Sequence, residues 1–181
     1  MSNKAVFLDR DGVINIDHGY VHKIEEFDFM PGIFELCQHA KRLGYKLIIA
    51  TNQSGIGRGY YSESDFLMLA EWMKAQFAEN QCEIDGLYYS PYHPEKAQPP
   101  YLKKSDCRKP APGMLLQAIK DFDLKPSDCI MIGDNETDIQ AAKAAGIGRS
   151  VLLDTVNKSK SGAESDADEV WQALSEGLAK I

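Results

Sequence analysis

Two aspartates spaced D-x-D, Asp9 and Asp11, follow directly on the apolar run Ala5-Val6-Phe7-Leu8 and precede Gly12. At the end of a buried strand two such acids can face one pocket, one as nucleophile and the other as proton donor. Gly12 then lets the chain turn away. A lone D-x-D-G would read better as an ordinary Asx-rich turn. The remaining chain changes that balance. Thr51 ends a second apolar run, Arg108-Lys109 closes a long proline-rich segment, and Gly133-Asp134-Asn135-Glu136-Thr137-Asp138 follows the run Cys129 to Ile132. Carboxylates gathered at one point repel unless a cation neutralises them, and the all-oxygen set Asp9, Asp11 and Asp134 suits Mg²⁺. Lys109 can hold phosphoryl oxygens as a point charge, with the Thr51 hydroxyl as a directed donor. Together these are the parts of a phosphoryl-transfer site.

The elements needed to bring them together can be read from periodicity. Short apolar runs alternating with helical patterns predict βαβ units: an α/β fold with a Rossmann-like parallel sheet, helices on both faces in three layers, and no separate cap domain. Expected strands are Ala5–Leu8, Lys46–Thr51, Gly86–Ser90, Cys129–Ile132 and Ser150–Leu153. Expected helices are Ile33–Leu43, stopped by Gly44; one of about four turns after Ser62; Met114–Phe122; Ile139–Ala145, stopped by Gly146; and a closing helix Val170–Leu178. Ser62 and Asp65 have capping-box spacing, and Phe66, Leu69, Ala70, Met73 and Phe77 follow at helical intervals. Ligands of such open sheets sit outside the carboxyl ends of the strands, where the unusual polar residues gather.

The chain has 181 residues, 44% hydrophobic and 26% charged, which predicts one globular domain spanning 1–181. A net charge of −7 argues against the basic surface that nucleic acid would require. No apolar run reaches the length of a membrane span and the start is too short in apolar residues for a signal peptide, so a cytoplasmic address and no membrane partner are expected. The four cysteines show no C-x-x-C spacing and are expected to be reduced. A monomer acting on a small sugar phosphate completes the expectation.

The ordered motifs Asp9-Arg-Asp11-Gly, Thr51, Lys109 and Gly133-Asp134-x-x-x-Asp138 resemble those of the haloacid dehalogenase superfamily of phosphotransferases. The resemblance implies that Asp9 attacks phosphorus and that Asp11 protonates the leaving oxygen and then activates water. It also implies that Thr51 and Lys109 orient the phosphoryl group. Asp9, the Asp11 main-chain carbonyl and Asp134 would bind Mg²⁺, with Asp138 behind them. The longer stretches Phe7–His22, Thr51–Gly59 and Cys107–Met114 are similar to the D-glycero-D-manno-heptose 1,7-bisphosphate 7-phosphatase family. That similarity implies removal of the C7 phosphate, in the supply of an activated heptose for lipopolysaccharide. It also implies substrate contacts from Asp17, His18, Gly19 and Tyr20, from Thr51, Asn52, Gln53 and Ser54, and from Arg108 and Lys109, where the forked Arg108 suits a second phosphate.

Two departures stand out. Family members commonly hold zinc on a Cys-x-His pair and a later Cys-x-Cys pair; here those positions read Ser90, Tyr92, Ser105 and Cys107, and no zinc is expected. Asn135 stands at a substrate-facing position where these enzymes commonly carry lysine. Histidinol-phosphate phosphatase or a broader sugar-phosphate phosphatase is the rival enzyme reading. A phospho-acceptor receiver module is the non-enzymatic one, against which Asp11 argues because a receiver should lack an acid two residues beyond its acceptor.

Overall fold

The computed structural model describes residues 3–156 and 164–181. Six strands form one sheet in the order β3-β2-β1-β4-β5-β6: β1 (Ala5–Leu8), β2 (Lys46–Asn52), β3 (Gly86–Ser90), β4 (Ile130–Gly133), β5 (Arg149–Leu153) and β6 (Glu169–Trp171). Every neighbouring pair is parallel. The helices are α1 (Ile33–Arg42), α2 (Ser54–Gly57), α3 (Glu63–Glu79), α4 (Gly113–Asp121), α5 (Glu136–Ala144) and α6 (Gly177–Lys180). None is long and apolar enough to cross a membrane.

β1 is buried along its whole length, as a central parallel strand covered on both faces must be. Its side chains alternate between two cores. Val6 and Leu8 join Leu36 and Cys37 of α1 and Met73 and Phe77 of α3, while Ala5 and Phe7 join Leu115 and Ala118 of α4 and Ala141 and Ala142 of α5. Burying a side chain of Phe or Leu size contributes roughly 1.5–3 kcal/mol, so these two layers set the register from which everything at the strand ends hangs.

Local chemistry explains most boundaries. The Ser62 hydroxyl accepts from the Asp65 N–H and the Asp65 carboxylate accepts from the Ser62 N–H, the reciprocal cap that starts α3. That helix runs 17 residues, closer to five turns than the expected four. α5 begins three residues before the expected Ile139, because Asn135 and Asp138 form a second capping box. One expectation fails. Val170–Leu178 is not a closing helix: its first residues form edge strand β6 against β5, Leu174–Glu176 is a single 3₁₀ turn, and only Gly177–Lys180 is α-helical.

Candidate active site

Parallel pairing of β1 with both β2 and β4, Leu8 opposite Ile49 and Ile132, sets three strand ends side by side. The Asp9 N–H continues the ladder by donating to the Ile132 carbonyl at 3.1 Å. Beyond these ends lies an open cleft of ≈ 480 Å³, lined among others by Asp9, Asp11, Asn52, Lys109, Asp134 and Asp138. That is a volume suited to a small ligand.

Lys109 is the hub of the floor. Only 3% exposed, its ammonium donates to Asp9 Oδ1 at 3.0 Å and the Ala50 carbonyl at 2.7 Å, and lies 2.6 Å from Asp138 Oδ1. All three donors of a lysine are thereby used. Burial alone would lower its pKa, but the carboxylates of Asp138 and Asp9 more than offset that and hold it above the ordinary lysine value. Asn52 fixes the main chain of the same residue: its Nδ2 donates to the Lys109 carbonyl and its Oδ1 accepts from the Lys109 N–H, both at 3.0 Å. Asp9 also accepts from the Arg10 N–H at 2.9 Å. Burial first, then the charge of Asp138, pushes the Asp9 carboxyl well above its usual range, with Lys109 opposing them.

Asp11 is oriented by a separate network. Its Oδ1 accepts from Arg10 Nη2 at 2.8 Å and Asn15 Nδ2 at 3.0 Å, and its Oδ2 from Gln53 Nε2 at 3.1 Å. Arg10 is 2% exposed, wedged between the rings of Phe27 and Phe66 at 5.8 and 5.9 Å, with a second bond to the Val21 carbonyl. Gln53 in turn accepts from the Tyr61 hydroxyl at 2.5 Å. Burial pushes the Tyr61 pKa up to about 12, which keeps that hydroxyl a donor.

One oxygen each from Asp9, Asp134 and Asp138 lie within 4.8 Å of one another. Gly12 permits this closeness: with φ +88° it turns the chain, and a Cβ there would fall 2.1 Å from Asp134 Oδ2. Asp138, 1% exposed, is already engaged by Lys109 and by the Asn135 N–H at 3.1 Å. Three hard oxygens at such spacing fit a divalent cation of the Mg²⁺ type. The carboxylate of Asp11 is not in this cluster; the expected ligand there is its main-chain carbonyl.

Of the residues named as substrate contacts, Asp17, Gly19, Tyr20, Asn52, Gln53, Ser54, Arg108, Lys109 and Asn135 line the cleft. Two expected residues do not. His18 turns into an adjoining hollow and pairs with Asp28 at 2.7 Å, while the Asp17 carboxylate closes the turn onto the Gly19 N–H. Thr51 is 1% exposed and lies beneath the floor, its hydroxyl accepting from Gln53 Nε2 at 2.9 Å. Asn135 borders the cleft, yet its Oδ1 serves as the N-cap of α5, accepting from the Thr137 N–H and hydroxyl at 3.1 and 3.2 Å. Sequence reasoning missed Arg10, Asn15 and Tyr61. Arg10 sat inside the D-x-D motif, whereas nothing in the sequence marked Tyr61.

The chain is 55% identical over 153 residues to the D-glycero-alpha-D-manno-heptose-1,7-bisphosphate 7-phosphatase of Burkholderia mallei, covering 84% of this chain and 81% of that one. It is 46% identical over 173 residues to the D-glycero-beta-D-manno-heptose-1,7-bisphosphate 7-phosphatase of Pasteurella multocida, covering 96% and 94%. Among solved structures, the D,D-heptose 1,7-bisphosphate phosphatase of B. bronchiseptica, complexed with magnesium and phosphate, superposes with TM-score 0.84 at 27% identity, over 98% of this chain and 97% of that one. A family model described as haloacid dehalogenase-like hydrolase matches residues 3–146. That match spans every strand and loop that supplies the acids and the lysine of the cleft, and on it the chain belongs to the haloacid dehalogenase-like hydrolases.

Proposed function

We propose that this protein is a Mg²⁺-dependent phosphatase, a single domain over 1–181, that removes the C7 phosphate of D-glycero-D-manno-heptose 1,7-bisphosphate through an aspartyl phosphate on Asp9. The carrying observation is the floor of the cleft, where Asp9 lies against Lys109 and beside Asp134 while Asp11 is held apart by its own donors. The names of the relatives support the substrate.

In this reading an Asp9 oxygen attacks phosphorus and the bond from phosphorus to the sugar O7 breaks, the leaving oxygen taking a proton from Asp11. Asp11, now a carboxylate, withdraws a proton from water, whose oxygen displaces Asp9 and releases inorganic phosphate. The Arg10 and Asn15 bonds keep Asp11 from swinging toward the floor, so acid and nucleophile stay separate. Lys109, its donors engaged by the floor, offsets negative charge on the phosphoryl oxygens as a nearby cation, and Asn52 fixes its backbone. Thr51 acts through Gln53 and not by touching substrate. A Mg²⁺ held by Asp9, the Asp11 carbonyl and Asp134 would offset charge on the phosphate. Tyr20 and Arg108 line the cleft as candidate contacts to the rest of the sugar phosphate.

No structural zinc belongs to the segment from Ser90 to Cys107 in this proposal. Other contacts fasten it: Lys103 sits 4.4 Å over the Tyr92 ring, and Ser105 Oγ meets Cys107 Sγ at 3.1 Å. His93 Nδ1 is already occupied by the N–H groups of Glu95 and Lys96 at 3.1 and 2.9 Å. A cytoplasmic monomer completes the reading, and the four free cysteines are consistent with a reducing compartment.

The test is phosphate release with Mg²⁺ from both anomers of the heptose bisphosphate and from histidinol phosphate. Faster turnover of at least one heptose anomer is expected. Faster turnover of histidinol phosphate would replace the substrate assignment.

A further inference from the structure

Two guanidinium groups, Arg108 in the lining of the cleft and Arg58 behind the lining residue Tyr20, are near enough for one to act on the charge of the other. Arg108 lines the cleft, and among the described residues its one side-chain hydrogen bond is from Nη1 to the Tyr92 carbonyl at 3.3 Å. Arg58 immediately follows α2, whose residues Ser54 and Gly55 line the same cleft. Its guanidinium lies 5.5 Å over the ring of Tyr20, another lining residue. The Arg58 Nε is buried and has no hydrogen-bond partner. Among the described residues neither arginine forms an ion pair.

Like charges that are partly desolvated repel. Burial and then the Arg58 charge push the Arg108 guanidinium below its ordinary value. His93 is likewise pushed down by burial, then by Arg108, Arg58 and Lys96, with only Glu95 opposing. A protein of net charge −7 has acids to spare for such a pair, yet supplies none here. Ring and burial together restrict Arg58, which leaves two planar forks with unused donors on the Tyr20 side of the cleft, a combination that suits an oxyanion.

We propose that Arg58 is a specificity-determining residue that, together with Arg108, receives the phosphate that is not transferred, with Tyr20 as the platform that aims it. This rests on the sugar-bisphosphate reading above. It also accounts for Asn135 without a lysine: the charge for the distal phosphate comes from the α2 side of the cleft, and Asn135 is released to cap α5.

Arg58→Gln and Arg58→Lys are to be assayed on the heptose bisphosphate and the corresponding 7-monophosphate, and in parallel on fructose 1,6-bisphosphate and fructose 6-phosphate. In Arg58→Gln, kcat/KM for the bisphosphate is expected to fall roughly ten- to a hundredfold, mainly through KM, the range for losing hydrogen bonds to a charged group. The monophosphate should lose less than about threefold by the same reasoning, and Arg58→Lys should recover part of the loss because it keeps a charge but not the fork. Melting temperatures read alongside separate this from misfolding, which lowers kcat for both members of a pair. A retained bisphosphate-to-monophosphate ratio in Arg58→Gln overturns the proposal, as does a parent enzyme with no preference for the bisphosphate in either pair. Should only the heptose assignment fail, the fructose pair still reads Arg58.

Discussion

Replacing Lys109 by methionine tests whether one ammonium serves both the fold and the chemistry. The substitution keeps the length of the side chain but leaves Asp138, 1% exposed, without its cation and removes the only ion-pair partner of Asp9 among the described residues. Breaking a buried ion pair from one side costs about 3–5 kcal/mol, because the remaining charge stays desolvated. For a chain of this size each kcal/mol moves the melting temperature by about 2–4 °C, so a fall of roughly 6–20 °C is expected. Turnover should fall by about 10²–10³-fold or more, as when a stabiliser of developing charge is lost.

The pH dependence follows from the signs. A lysine whose folded pKa is raised stabilises fully below its unfolded value and loses that contribution only as pH rises through the folded value, so the parent should be insensitive to this group from neutral to mildly basic pH. Asp9 is shifted upward, which makes its ionisation destabilising above about pH 4, and without Lys109 nothing opposes burial and Asp138. The gap between parent and variant should therefore narrow on acidification. Asp138→Asn added to Lys109→Met should recover more than half of the lost melting temperature and none of the lost activity. Calorimetry and phosphate release read the two effects separately. A single variant melting within about 3 °C of the parent, against the 3–5 kcal/mol cost above, would refute the reasoning.

Asp9→Asn should lower turnover by several orders of magnitude while melting at or above the parent temperature without metal, since an amide carries no charge for burial and Asp138 to disfavour; retained turnover would remove Asp9 as nucleophile. Gly12→Ala places a methyl where Asp134 Oδ2 stands at 2.1 Å and forces a left-handed alanine, so Mg²⁺ affinity should weaken at least about tenfold in a titration followed by activity. At a hundredfold excess over its dissociation constant, Mg²⁺ should stabilise the parent by about 2.7 kcal/mol at neutral pH and give no gain in Asp134→Asn; equal gains in both would move the metal elsewhere. Protein prepared without added zinc should contain none by elemental analysis, and near-stoichiometric zinc would mean that other side chains replace the missing ligands.

The motifs were legible where one local rule governs. Helix α3 was readable because its cap and its five buried apolar residues all lie within one stretch of chain. The acids were readable because they follow apolar runs that read as strands, and Lys109 because it stands in an ordered set of motifs with them. Trp171 and Leu174 illustrate the limit: their spacing imitates a helix face, but Trp171 is held in β6 by Leu153, a partner no local pattern reveals. Thr51 and His18 were assigned to the substrate by the family resemblance. Their actual partners, Gln53 and Asp28, depend on side-chain directions set by the whole core. Tyr61 reaches Asp11 only through Gln53, a relay that exists once α2 is folded over the end of β2.

The strand order has a consequence for how the chain matures on the ribosome. β1, made first, lies between β2 and β4, so one of its edges stays bare until residues up to Ile132 have emerged. Until then Asp9 has neither Asp134 nor Asp138 beside it, and Lys109 has no counter-charge from α5. Such distant pairings slow folding and expose apolar edges to wrong partners. The nascent N-terminal half therefore carries an unpaired β1 edge, and the acids of the cleft come together only when β4 and α5 join it, before β5 and β6 are made.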